Sequence, residues 1–318
     1  MSDSDRTSTR TSRETAVLLM AFGGPETLEQ VGPFMARLIG RQPAPQVVER
    51  VAERYRVIGG GSPLPRIVRA QAQALEQELA QDGAPTVRAA FKYADPSISS
   101  AVRELTKNGC KRVIGISLSP QRARVTSGAY ADELLAAGKE NGVEVVLGND
   151  YYAEPHFVDS IADLTKRALS SFSSPKDVTI VFSAHSLPVE HVEDGDPYVE
   201  QLLATIAGVL QRIPPHDWQL AFQSRGMSAG KWLEPQVEDV LQELAAKRRS
   251  RVLLVPIGFT CDHVETLYDI DVAIAGRARE LGLEFVRAGA LNASKSFIEA
   301  LAAVARPHLI VSEERAAS

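Results

Sequence analysis

The stretch from Arg251 to Asp271, RVLLVPIGFTCDHVETLYDID, decides how this chain folds. It opens as a β-branched, apolar run with no polar alternation, the pattern of a strand covered on both faces, as in a parallel sheet. It then turns abruptly into Cys261, Asp262, His263, Glu265, Asp269 and Asp271. A helix beginning near His263 places Glu265 and Asp269 four residues apart on one face. Two carboxylates on one wall suit metal or proton chemistry. They equally suit a solvated first helical turn, where acids meet the positive end of the helix dipole. Within this stretch both readings stand.

Working outward, apolar runs alternate with segments of helical period along the whole chain. Strands are expected at Ala16–Phe22, which leaves through Gly23-Gly24-Pro25, then at Val87–Tyr93, Arg112–Leu118 and Val143–Gly148. Between them, helices are expected from near Thr27, over Gln46–Arg56, Ile67–Leu79 and Ile98–Asn108, and in a segment carrying Tyr130 in its opening turns. The run Ile58-Gly59-Gly60-Gly61-Ser62-Pro63-Leu64 reads either as a flexible helix exit or as a place where backbone comes close to a ligand. After the turn-rich Asn149–Pro155 the plan repeats, with strands at Asp177–Phe182, Gln219–Phe222, the opening run and Glu284–Arg287, and a closing helix over Ser294–Ala305. The expectation is an α/β protein with two open parallel sheets of four strands, each flanked by helices. The domains fall at residues 14–150 and 151–310, the second holding the closing helix, with a disordered tail over 1–13 and a frayed one over 311–318.

A formal net charge of -5 and a pI near 5.8 give no general attraction to nucleic acid or to an anionic membrane. Anionic ligands must be met by local arginines. The two cysteines, Cys110 and Cys261, are too few for a disulfide scaffold or a thiolate zinc site, and a reducing cytoplasm fits best. The opening MSDSDRTSTRTS lacks the apolar stretch of a secretory signal. No segment approaches the roughly eighteen apolar residues of a membrane-spanning helix, so no integral membrane segment is expected.

In parallel sheets ligands sit beyond the carboxyl ends of the strands. That rule brings His185, Arg225 and the Cys261–Asp269 segment to one edge of the second sheet. His185 alone reads as a hydrogen-bonded structural histidine; facing Glu265 and Asp269 it gains a chemical role. One imidazole with one or two carboxylates binds a first-row divalent ion through nitrogen and oxygen, without the grip of thiolate. The HExxH spacing of zinc proteases is absent, and Cys261 is expected to pack or to hydrogen-bond nearby.

Five fragments occur in order: IGGGSPL, FSAHSLP, GDPY, QSRG followed by WLEP, and PIGFTCDHVETLYDID. Together, over Ala16 to Ala305, they resemble the ferrochelatases, which insert ferrous iron into a porphyrin. The resemblance implies two Rossmann-like domains with the porphyrin in the cleft between them. It implies a metal site at His185 and Glu265, with Asp269 on the same helix handing iron inward or accepting protons. It also implies porphyrin contacts at Arg54, Tyr55, Ser62 and Tyr130, where arginine and hydroxyl donors suit propionate carboxylates. Some members carry a tyrosine, able to ligate product iron, where this chain has Phe22. Several carry a C-terminal cysteine cluster for an iron-sulfur centre, but here no cysteine follows Cys261 and no cluster is expected. Iron is then substrate, with no permanently bound cofactor. The polar composition leans toward coproporphyrin III over protoporphyrin IX, and transient contact with neighbouring haem-pathway enzymes is expected. A non-catalytic haem or porphyrin carrier, with His185 as an axial ligand, and a chelatase for another divalent metal such as cobalt or nickel are the alternatives.

Overall fold

The structure is a computed structural model and describes residues 14–226 and 230–309; both expected tails lie outside the described residues. Among the described residues, eight strands form two all-parallel sheets, ordered β2-β1-β3-β4 and β6-β5-β7-β8. In the first, β1 is Thr15–Ala21, β2 Thr86–Phe91, β3 Arg112–Ser117 and β4 Glu144–Leu147. In the second, β5 is Val178–His185, β6 Trp218–Gln223, β7 Arg251–Pro256 and β8 Glu284–Arg287. The expected α/β architecture of two helix-flanked, four-stranded parallel sheets is what the chain adopts.

Burial explains the two-faced apolar runs. Every residue of β1 is buried. Its Val17, Leu19 and Ala21 face a core that runs on through Ile180 and Phe182 of β5 to Phe297 and Leu301 of the closing helix. The alternate residues, Ala16, Leu18 and Met20, face a separate outer cluster. In the second sheet Val181, Val252 and Leu254 likewise turn outward, onto Ile270 and Ile274. One strand therefore serves two packed layers, and no polar alternation is possible.

Three departures from the sequence-based boundaries matter for the site. Strand β5 runs three residues beyond the expected end at Phe182, because Ala184 and His185 pair in register with Phe222 and Gln223; His185 is thus the last residue of the strand. The helix expected at His263 is π-helical from Glu265 to Ile274, and only Ala275–Glu280 is α-helical. A shorter π turn, Arg124–Gly128, occupies the matching place after β3, before the helix Ala129–Asn141. π segments are rare and gather at functional sites.

Glycine-rich residues 58–64 make their close approach to the chain itself. Gly59 and Gly60 hold φ of 106° and 96°, and a Cβ on Gly61 would lie 2.1 Å from the Glu26 carbonyl oxygen. This junction returns the chain from an arm of two helices, Val31–Ile39 and Pro45–Val57, which have a small core of their own that also takes in Val264. The closing helix, Lys295–Leu309, packs against Leu64–Glu78 of the first half and Pro155–Leu169 of the second. Arg306 pairs with Glu78 and Asp82 at 2.9 and 3.0 Å, but these ends are about a third exposed or more. Fully burying Phe297 and Leu301 contributes about 1.5–3 kcal/mol each, against at most about 1 for such a pair, so packing holds this helix across the halves.

Candidate functional site

A cavity of about 280 Å³ opens between the two halves. Phe22 just after β1, Leu118 and Ser119 after β3, and Tyr130 line it from the first half; His185 and Glu265 line it from the second. It lies where each sheet's strand order reverses, between the carboxyl ends of β1 and β3 and of β5 and β7, the usual ligand crevice of open α/β sheets.

The second-half wall is built on Glu265, at the start of the π segment. His185 Nδ1 lies 2.6 Å from the Ser186 carbonyl oxygen and donates to it, which turns Nε2 toward Glu265 Oε2 at 3.7 Å. His263 has the same arrangement: Nδ1 is 3.0 Å from the Cys261 carbonyl oxygen, and Nε2 is 3.8 Å from Glu265 Oε1. Two Nε2 atoms thus converge on one carboxylate at distances too long for hydrogen bonds. Burial pushes the acidity of Glu265 the other way, but His185, His263 and the Ser224 hydroxyl overcome it and hold the pKa at about 2. The carboxylate stays charged throughout the physiological range. Among the described residues no three His, Cys, Asp or Glu side chains already converge closely enough to hold a metal ion. Nitrogen and oxygen donors in so open a set suit a divalent ion that arrives and leaves.

Asp269, one loose turn on, accepts from Ser224 Oγ at 3.2 Å and from Arg54 Nη1 at 3.4 Å. Burial, and then the neighbouring Glu265 charge, raise its pKa, so it is the more easily protonated of the two acids. The other residues expected at the site divide. Tyr130 lines the cavity, and burial pushes its phenol far above the usual range, leaving a neutral donor. Arg54 is not in the cavity wall; its guanidinium lies 5.5 Å from the Tyr268 ring centre, and it bridges the arm to the π segment through Asp269. Tyr55 is buried within the arm, and the Ser62 hydroxyl accepts from the Leu64 N–H at 3.3 Å; neither side chain is in the cavity wall. Cys261 borders the cavity but accepts from Gln71 Nε2 at 3.1 Å, and burial pushes its thiol up to about 11, so it offers no thiolate. Phe22 sits against Tyr93 and Phe34, with ring centres 4.7 and 6.2 Å apart.

Three further side chains, outside the set expected from the sequence, contact the residues of the site. His263 stands two positions before Glu265 in the sequence. Ser224 reaches Asp269 from a left-handed backbone position, φ 59°, which nothing in QSRG signals. Tyr198 of GDPY donates its hydroxyl to the His185 carbonyl oxygen at 3.2 Å, buttressing that strand end.

Two four-stranded parallel sheets flanked by helices are the two-domain fold of solved chelatases. SirB from Bacillus subtilis, solved with Fe3+, matches with a TM-score of 0.58 at 12% identity, covering 95% of this chain and 98% of that one. CbiX, the terminal enzyme of siroheme biosynthesis in denitrifying bacteria, matches with a TM-score of 0.56 at 14% identity, covering 93% and 100%. At such identities the likeness is one of fold. The sequence goes further: a ferrochelatase family model matches residues 14–309. Ferrochelatase of Geotalea daltonii is 38% identical over 92% of this chain and 97% of its own, and that of Herpetosiphon aurantiacus 36% over 92% and 98%. The ferrochelatase of Deinococcus radiodurans is 36% identical over 91% and 94%. The chain belongs to the ferrochelatase family, and is an enzyme of the lyase class that chelates metal into a porphyrin.

Proposed function

We propose that this protein inserts Fe2+ into free-base coproporphyrin III, releasing two protons, with His185 and Glu265 as the metal site. The observation that carries the reading is the 3.7 Å approach of His185 Nε2 to an ionised Glu265 at the edge of an interdomain cavity. With Nδ1–H engaged by the Ser186 carbonyl, the neutral ring offers its Nε2 lone pair to a pyrrole proton or to iron. The fixed charge of Glu265 then stabilises the imidazolium or the arriving cation. Asp269, more readily protonated, suits the proton exit or an earlier station for iron. A flat macrocycle shields its nitrogen lone pairs, so rim contacts that favour a distorted ring lower the barrier. Arg54, beside Asp269, and the Tyr130 phenol in the cavity wall are the chosen partners for the ring substituents. Tyr55 and Ser62 act on the ring only through the arm and junction that they hold.

Coproporphyrin III is favoured over protoporphyrin IX because its additional carboxylates keep it in water, which suits a chain of net charge -5. None of the described helices is long and apolar enough to cross a membrane. A cytoplasmic enzyme without an iron-sulfur cluster or other bound cofactor, handing its product on in transient contacts with neighbouring haem-pathway enzymes, follows from the same reading. An anaerobic insertion assay offering Fe2+ with each porphyrin, followed by absorption, decides it. Faster turnover of coproporphyrin III is expected; insertion into protoporphyrin IX alone overturns the substrate, and none into either overturns the reading.

A further inference from the structure

Behind His185, Ser183 and Gln223 present buried polar atoms that the mechanism above does not use. In a parallel sheet, residues paired in register stand side by side and project from the same face. His185 is paired with Gln223, and Ser183 stands one pleat back on the same strand face. That face is the one covered by the π segment, since Val181 and Ala221, two residues earlier on the two strands, pack with Ile270 and Ile274. Gln223 is 1% exposed and Ser183 0%. Both amide atoms of Gln223, the Ser183 hydroxyl oxygen and Glu265 Oε2 are buried with no hydrogen-bond partner among the described residues. Isolated buried amides are rare because each unmade bond costs the full desolvation of its group. Two such side chains on the strand face, with Glu265 on the π segment that covers it, point to a shared ligand small enough to be water.

Resting on the proposed metal-insertion reading, we infer that Ser183, Gln223 and Glu265 enclose a hydration site behind His185, in which the Gln223 amide holds water on the hydrated divalent cation that Glu265 receives. Fe2+ arrives hydrated and must shed water before the ring nitrogens close on it. An amide presents both a donor and an acceptor and carries no charge, so it binds the leaving water without competing for the metal. Gln223 is thus a positioning residue, acting on the cation through water, as outer-shell partners of metal sites do.

The test uses Co2+ alone as a probe of the full-length protein, read by its absorption bands and by titration calorimetry, with insertion kinetics alongside. Gln223→Met keeps the side chain's length and removes both polar atoms. Its Co2+ affinity is expected to fall roughly ten- to a hundredfold, with KM for the metal raised and KM for the porphyrin unchanged. Co2+ binding within about twofold of wild type and an unchanged metal KM overturn the inference. If Gln223→Met does not fold, Ser183→Ala decides: weaker Co2+ binding supports the site, and wild-type binding overturns it. A crystal structure of the metal-free protein gives an independent reading, since density for a water bonded to both Gln223 and Glu265 is expected and its absence is fatal. Wild-type protein that inserts iron alongside an indistinguishable Gln223→Met variant sinks this inference alone, whereas wild-type protein that neither binds Co2+ nor inserts iron sinks the functional reading beneath it.

Discussion

His185 Nε2 and Glu265 Oε2 face each other across 3.7 Å, one on the last residue of a strand and the other on the first residue of a π segment some eighty residues later in the chain. Neither atom is close enough to bond the other, and Glu265 Oε2 has no other partner among the described residues. The pair is held apart by the backbone, with Nδ1 of His185 tied to its neighbour's carbonyl.

Glu265→Gln keeps the shape of this pair and removes its charge. Iron insertion by Glu265→Gln and by His185→Ala is expected to fall by at least about a hundredfold, the scale of a lost acid-base or electrostatic contribution. Circular dichroism establishes that the variants fold; near-normal insertion rates in folded variants would remove both residues from the mechanism.

The same carboxylate shapes acid stability. Its folded pKa of about 2 lies below the ordinary 4.5, so its contribution is fully present above pH 4.5 and is lost as pH falls toward 2. That depression is worth on the order of 3 kcal/mol. Asp269 is shifted upward and works in the opposite sense, contributing stability at low pH that fades as pH rises. Urea denaturation across this range is expected to show a flatter pH dependence in Glu265→Gln than in wild type, and a steeper one in Asp269→Asn.

Gly61 tests the junction of the two-helix arm. A Cβ there meets the Glu26 carbonyl oxygen at 2.1 Å, and the obstacle is backbone, which cannot swing aside. Gly61→Ala is expected to cost about 2 kcal/mol or more, in the upper range of overpacking, and to lower the melting temperature by several degrees. Gly40→Ala, where nothing stands within 4 Å, is the control for left-handed strain alone, φ 71°.

Arg54 separates stability from binding. Its contact with Asp269 is a single one at 3.4 Å, with the arginine half exposed, so Arg54→Gln is expected to change stability by less than about 1 kcal/mol. If the guanidinium meets a ring carboxylate, KM for the porphyrin rises while KM for the metal stays near wild type. An unchanged porphyrin KM would remove Arg54 from the binding surface.

Much of this protein is written in local patterns. Runs such as TAVLLMA and RVLLVP contain no polar alternation because each strand separates two packed layers, and that physical demand makes parallel strands and their number legible along the chain, though not their order in the sheet. The same logic places His185 at a strand end and Glu265 in the segment that follows one, on the same edge, since a polar residue that breaks off an apolar run must leave the sheet where it ends. What the chain alone withheld depends on contacts between segments far apart in sequence. The π winding after Val264 lies on a segment that packs on both the arm and the second sheet, and His263 is turned toward Glu265 by its bond to the Cys261 carbonyl. The acidity of Glu265 comes from two imidazoles and a hydroxyl brought together from β5, the Ser224 turn and the β7 loop. The triple glycine serves Glu26, thirty-five residues earlier, and not an open loop. Periodicity reports which face of an element is covered; only the assembled fold decides what covers it.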